Sequence, residues 1–157
     1  MRKWLLLSAV IVAADQLTKY IAVQFLAAGK VVTVTPFFNL VLVYNSGAAF
    51  SILSEAAGWQ RGLFIAIAVI ASAWIVFLLR KYPHQNWFAL ALALVLAGAV
   101  GNAIDRIVIG AVIDFLDFHA LGYHWPAFNV ADSTITCGAA LLIWDALRPR
   151  QKVEGSV

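Results

Sequence analysis

Two stretches of this chain, Gly62 to Leu79 and Trp87 to Ile104, each run 18 residues without an Asp, Glu, Lys or Arg. At about 1.5 Å of rise per residue, a helix of that length covers roughly 27 Å, close to the hydrocarbon thickness of a bilayer. The rest of the chain agrees: 63% of its 157 residues are hydrophobic and only 12% charged. Soluble domains run nearer half apolar and a quarter charged, and a chain this short cannot hide such a surplus in one water-soluble core. Disorder is excluded for the same reason. Two further apolar segments are interrupted by polar residues. Residues 4–26 carry Asp15, Gln16, Thr18, Lys19 and Gln24, and residues 127–147 carry Asn129, Asp132 and Asp145. The predicted architecture is an integral membrane protein, mainly α, built as a four-transmembrane-helix bundle. It forms one domain over 1–157, with spans at 4–26, 62–79, 87–104 and 127–147 and outer segments at 27–61 and 105–126.

Arg2 and Lys3 followed by an uncharged run imitate a cleaved secretory signal. The polar patch Asp15-Gln16-Leu17-Thr18-Lys19, followed by a second apolar turn at Tyr20 to Val23, argues against cleavage. Basic residues near the span ends set the orientation. Arg2, Lys3, Arg80, Lys81, Arg148, Arg150 and Lys152 fall on one side, and Lys30, Arg61 and Arg106 on the other. Both termini are therefore expected to be cytoplasmic. Trp4, Trp59, Trp87, Trp125 and Trp144 sit near span ends, as an interfacial belt would, while Trp74 lies inside the second span. In the first outer segment, β-branched Val31 to Thr35, then Pro36, then Leu40 to Tyr44, predict a small extracytoplasmic β-sheet, with Asn45-Ser46-Gly47 supplying turn chemistry.

Acidic residues at the edge of a bilayer are costly and point to function. Asp105, Asp114, Asp117 and Asp132 all fall near the outer face. The apolar run Ile107 to Leu116 between them is expected to dip into the interface and carry Asp114 back toward Asp132. Two carboxylates meeting in a low-dielectric place cannot both ionise easily; one keeps a proton and the other serves as base. Such a pair can activate water against an amide carbonyl without a metal, thiol or serine. Against this stands a structural reading, in which the aspartates pair with Arg106 or cap helices, Asp132 being followed by Ser133-Thr134. Chemistry alone does not choose which two aspartates would form the pair. Asp15 and Lys19 are four apart and face together, as a structural polar pair would. Asn102, Asp105 and Arg106 cluster at the end of the third span, where Arg106 could meet acids or a lipid phosphate. Gly98 and Gly101 allow close helix approach.

Other chemistries find less support. Asp114, Asp117, His119 and His124 share one segment and include possible zinc ligands, but the two histidines are five apart, off one helical face. No metal or other cofactor is expected. Ser46, Ser51 and Ser133 lie outside any G-x-S-x-G motif. Cys137 is the single cysteine, which leaves no internal disulfide or CxxC pair, and it suits packing within the fourth span. There is no phosphate-binding loop, dinucleotide fingerprint or basic patch for nucleic acid. Two non-proteolytic alternatives stay open: a transporter using Asp15, Lys19, Asp132 and Asp145 as a polar path, and a non-catalytic assembly factor. A presenilin-type protease would need a Gly-x-Gly-Asp block, which is absent.

Five separated blocks then form a set: Asp15 to Lys19, Tyr44 to Phe50, Gly98 to Arg106, Val112 to Phe115, and Phe128 to Ser133. In this order, on a four-span chain of this length, they resemble bacterial lipoprotein signal peptidase, also called signal peptidase II. The resemblance covers roughly residues 10 to 147. Ala97-Gly98-Ala99 departs slightly from the family's Gly-Gly-Ala. It implies an aspartyl endopeptidase of the bacterial cytoplasmic membrane, its site near the outer face. The substrate would be a prolipoprotein carrying diacylglycerol on its lipobox cysteine, cut just before that residue. The family's catalytic pair matches Asp114 and Asp132. Asn45, Gly47, Asn102, Arg106, Asn129 and Ala131 match positions for substrate contact and site support, and Asp15 and Lys19 match positions tied to stability. The Val31 to Phe50 region would be the family's β-cradle. Membrane lipids and the lipidated precursor are the expected partners, nucleic acid is not, and the expected state is a monomer. The outer segments are long enough to include a lid, formed by Asn45 or by the run from Phe50 to Leu53.

Overall fold

The structure, a computed structural model, describes residues 1–47 and 58–148. Ser51, the Phe50 to Leu53 run, the Ala48-Ala49-Phe50 part of the second block, and tail residues Arg150 and Lys152 lie outside the described residues. Among the described residues, four helices are long and apolar enough to cross a membrane: α1 (Arg2–Phe25), α2 (Trp59–Lys81), α3 (Asn86–Val108) and α4 (Val130–Leu147). Helices α2 and α3 extend one to four residues past the charge-free limits at each end, α1 starts two residues ahead of the expected span and ends one short, and α4 starts three residues later than expected. α3 runs on through Asp105 and Arg106, which therefore belong to the helix and not to the following segment.

Helix α3 is the centre of the bundle and packs on the other three. Half of its apolar stretch is buried, whereas α2 and α4 turn most of theirs outward, as lipid-facing helices do. Small residues make this possible. Ala89, Ala91, Ala93 and Ala97 are fully buried on α3 and let neighbouring backbones approach. Gly98 faces the start of α4 so closely that a Cβ there would overlap the Ala131 carbonyl oxygen, and one on Gly138 would lie 2.8 Å from the carbonyl of Ala91. Ile75 and Leu79 of α2 pack on Ala89, Leu92 and Leu96, with Trp4, Leu5 and Leu142 against them. At this end Lys3 reaches Asn86 and the Trp4 indole donates to the Pro83 carbonyl.

The opposite end carries the sheet: β1 (Val32–Thr35), β2 (Phe38–Asn45), β3 (Val112–Ala120) and β4 (Tyr123–His124), antiparallel in the order β1-β2-β3-β4. The first two strands match the β-branched runs, with Pro36-Phe37 at the turn. The other two arise where the sequence suggested an interfacial dip. β3 pairs along β2, from Phe38 with Phe118 to Asn45 with Val112. A tight turn through Leu121 and Gly122, at φ 52° and 82°, returns it to β4, the positive φ values that a right-twisted hairpin requires.

Candidate active site

Between Leu40 and Val43 the ladder slips, two residues of β2 standing opposite one of β3. Phe115 and Leu116 donate instead to the Phe128 carbonyl, just ahead of α4. Such a bulge redirects the neighbouring side chain. Asp114 thereby faces the head of α4, and it is almost fully buried.

Helix α4 starts on a capping box. The N-cap is Asn129, whose Oδ1 accepts the Asp132 N–H, while Asp132 Oδ2 accepts the Asn129 N–H. Of the alternative in which Asp132 caps the helix, the structure keeps the capping role and moves the N-cap: Asn129 holds that position, and Asp132 closes the box from the third helical residue. Asn129 Nδ2, turned away from the helix by this bond, donates to Asp114 Oδ1 at 2.7 Å. Asn45 Nδ2 donates to Asp114 Oδ2 at 3.1 Å, and its Oδ1 takes the Gly47 N–H. Asn102 Nδ2 donates to Asp132 Oδ1 at 2.8 Å. All four carboxylate oxygens of Asp114 and Asp132 accept a hydrogen bond.

Both aspartates line one cavity of about 770 Å³, together with Asn45, Asn102 and Arg106, and with Trp125, Phe128, Ile135 and Cys137 on its more apolar side. Burial pushes the Asp114 carboxyl up, and the Asp132 carboxylate adds to this. The bonds from Asn45 and Asn129 and the Lys19 charge pull the other way, and the balance lies at about 7. At neutral pH this acid is poised to hold or release a proton.

The other predicted residues fall into place around the cavity. Asn129 and Ala131 lie behind it, with no exposure. Arg106 donates to the carbonyls of Gly47 and Asn102 and lies over the Phe64 ring, so its partners are carbonyls and a ring face where acids had been considered. Asp15 and Lys19 form a buried ion pair at 2.9 Å, and Asp105 joins it at 2.8 Å from Lys19. Asp105 is therefore held by a cation. Asp117 is occupied as well, accepting from Asn39 and meeting His124 Nδ1 at 2.9 Å, with His119 stacked on His124. Burial raises the Asp117 carboxyl, but those two hydrogen bonds and the nearby His124 and His119 rings together outweigh it and hold the group below its ordinary value. Among the described residues, no three His, Cys, Asp or Glu side chains converge to hold a metal.

Sequence reading missed two contributors. Gln16 bridges Asp15, the Gly101 carbonyl and Asp105, and Asn39 supports Asp117. A glutamine in an apolar span beside a charged residue, and an asparagine inside a strand between Phe38 and Leu40, were the available signals.

The family described as signal peptidase (SPase) II matches residues 7–148. Lipoprotein signal peptidases of Burkholderia mallei (strain SAVP1) and Burkholderia pseudomallei (strain 668) are each 54% identical over 145 residues, covering 92% of this chain and 87% of theirs. The enzyme of the same name from Paraburkholderia phymatum gives the same figures. Two solved bacterial membrane enzyme structures obtained by the in meso method superpose with TM-scores of 0.87 and 0.83, each at 35% identity. The first covers 100% of this chain and 95% of its own, the second 96% of each. The chain is therefore a multi-pass membrane protease, and it belongs to the signal peptidase II family.

Proposed function

We propose that this peptidase is an aspartic endopeptidase that cuts the signal peptide from diacylglyceryl-modified prolipoproteins, just before the lipidated cysteine. One observation carries the mechanism. Of the four aspartates at the sheet end of the bundle, Asp105 is committed to Lys19 and Asp117 to Asn39 and His124, while Asp114 and Asp132 line the cavity. The pair shares one proton, since two carboxylates lining one cavity, Asp114 buried and Asp132 half-buried, resist double ionisation. The ionised member takes a proton from water, and the resulting hydroxide attacks the carbonyl carbon before the lipidated cysteine. The protonated member donates to the carbonyl oxygen and steadies the tetrahedral oxyanion. Collapse breaks the C–N bond, and the leaving amine takes up the proton drawn from water. Asn45, Asn102 and Asn129 hold the two carboxyls, and Arg106 ties Gly47 to α3.

The test is cleavage of a purified diacylglyceryl precursor by the enzyme in detergent or lipid, followed as a size shift on a gel, beside the unlipidated precursor. The reading expects cleavage of the lipidated form alone. Equal cutting of both would remove the lipid from the recognition.

The acidity of Asp114 sets the pH dependence. Its carboxyl, raised from 3.8 to about 7, is protonated below that pH and ionised above it. Turnover should therefore fall as pH rises through about 7, when the shared proton is lost. Asn45→Leu removes a bond that favours the ionised form, so it should move this limb to higher pH while lowering the maximum rate. A pH-rate profile of the variant that keeps the wild-type limb would contradict the assignment.

We place both termini in the cytoplasm, with the sheet and cavity at the outer face. The basic residues Arg2, Lys3, Arg80, Lys81 and Arg148 lie at the end opposite the sheet, which supports this by the excess of cytoplasmic Lys and Arg. In a Cys137→Ala background, a membrane-impermeant thiol reagent should label a cysteine placed at Leu121 in spheroplasts, and leave one placed at Tyr82 unlabelled until the membrane is opened. The reverse pattern would invert the topology.

A further inference from the structure

The three asparagines around the dyad act only if each turns its NH2 toward a carboxylate. An asparagine amide can be flipped, and its orientation is set by whatever meets its oxygen. For Asn45 that partner is the Gly47 N–H, and for Asn129 it is the Asp132 N–H. Both are backbone donors that side-chain replacement leaves in place. Asn102 differs. Its Oδ1 receives Lys19 Nζ at 3.0 Å, and otherwise the Asn129 amide at 3.3 Å. An ammonium has no acceptor capacity, so Lys19 requires oxygen on its side and NH2 on the side of Asp132.

The same cluster also reaches the backbone before each aspartate. Asp15 Oδ1 accepts the N–H of Ala131, the residue preceding Asp132, at 2.9 Å. Asp105 Oδ2 accepts the N–H of Ile113, the residue preceding Asp114, at 3.2 Å. Lys19 bridges these two acceptors. We propose that Lys19 is a positioning residue for the peptidase reaction: it locks the Asn102 amide toward Asp132 and, through Asp15 and Asp105, sets the backbone on which both aspartates ride. This rests on the dyad reading above. It assigns to a buried ion cluster a part in turnover beyond holding α1 in the bundle. The charged groups around Asp114 are Asp132 of α4, Lys19 of α1 and Arg106 of α3, and the Lys19 charge is among those that hold the Asp114 carboxyl down.

Lys19→Met alone leaves two buried carboxylates facing each other, so the informative variant is Lys19→Met with Asp105→Asn, which keeps the local net charge. Asp15 keeps the N–H bonds from Ala131 and Gln16, and the amide oxygen introduced by Asp105→Asn can still accept the Ile113 N–H, so a thermal midpoint is measured first to show that the variant folds. We expect kcat to fall on the order of 10- to 100-fold, as loss of outer-shell support does, with KM nearly unchanged. The alkaline limb of the pH-rate profile should move to higher pH. In an Asn102→Leu background the same double change should add less than its full loss, because the arm of the relay that runs through Asn102 has already been cut. A folded double variant with wild-type kcat and an unmoved limb would overturn the proposal, as would full additivity with Asn102→Leu. Asp114→Asn runs beside these as a control. Full activity there would sink the dyad itself, whereas an inactive Asp114→Asn with an unmoved limb in the Lys19 variant would sink only the relay.

Discussion

Asp114→Asn and Asp132→Asn should each lower turnover of a lipidated precursor by about a thousandfold or more, the scale of losing a proton-transfer group that works with a partner. The structural cost of either change is far smaller. Asp114 accepts amide N–H groups on both oxygens, and an asparagine there keeps one such bond and sets NH2 against NH2 in the other. Asp132→Asn can still accept the Asn129 N–H that completes the capping box. One lost hydrogen bond is worth about 1 kcal/mol, so both variants should fold and bind precursor. Because one proton serves both groups, the double variant should be scarcely slower than either single one. Measured kcat and KM on the lipidated precursor decide this. A single variant retaining a tenth of wild-type turnover, or a double variant slower by the product of the two effects, would refute a shared-proton dyad.

Gly98→Leu should cost on the order of 3 kcal/mol, through overpacking that the helices cannot relieve. A Cβ at this position meets the Ala131 carbonyl oxygen, lies 2.5 Å from Ile135 Cγ1 and 2.9 Å from Thr134 Oγ1. The first of these is backbone, so α3 and α4 must part. The damage would reach the dyad, since Ala131 precedes Asp132. A lower thermal midpoint in detergent and loss of activity should appear together. Gly62→Leu on α2 is the control, since a Cβ there meets nothing within 4 Å. It should be neutral or slightly stabilising, as replacement of a helical glycine usually is. Equal midpoints for the two variants would show that the close approach at Gly98 is not needed.

The spans were legible because charge is so costly in lipid that its absence over 18 residues leaves few alternatives. The first hairpin was legible from β-branched runs flanking Pro36. β3 was hidden because its burial does not alternate: Asp114 and Phe115 are both buried, at the slipped register where Phe128 takes over the pairing. An apolar stretch without a period of two cannot be told from a helix end or an interfacial loop by pattern. For the site, the residue types were visible and their partners were not. Four aspartates looked equivalent along the chain, and only the fold commits Asp105 to Lys19 and Asp117 to Asn39 and His124. The Asn129-x-x-Asp132 capping box could have been read from spacing alone, the N-cap lying three residues ahead of the acid.

The buried pair in α1 has a consequence for the order in which the chain is made. Helix α1 enters the membrane first, yet the amide that satisfies Asp15 belongs to Ala131, 116 residues later, and Asp105 also lies far downstream. Until those segments emerge, α1 must wait in the membrane with two ionisable side chains and none of their distant partners. The four-residue spacing of Asp15 and Lys19 meets this need, since each neutralises the other within a single turn. A helix that carries buried charge can thus remain inserted through the synthesis of the rest, and the last span to arrive completes what the first span left open.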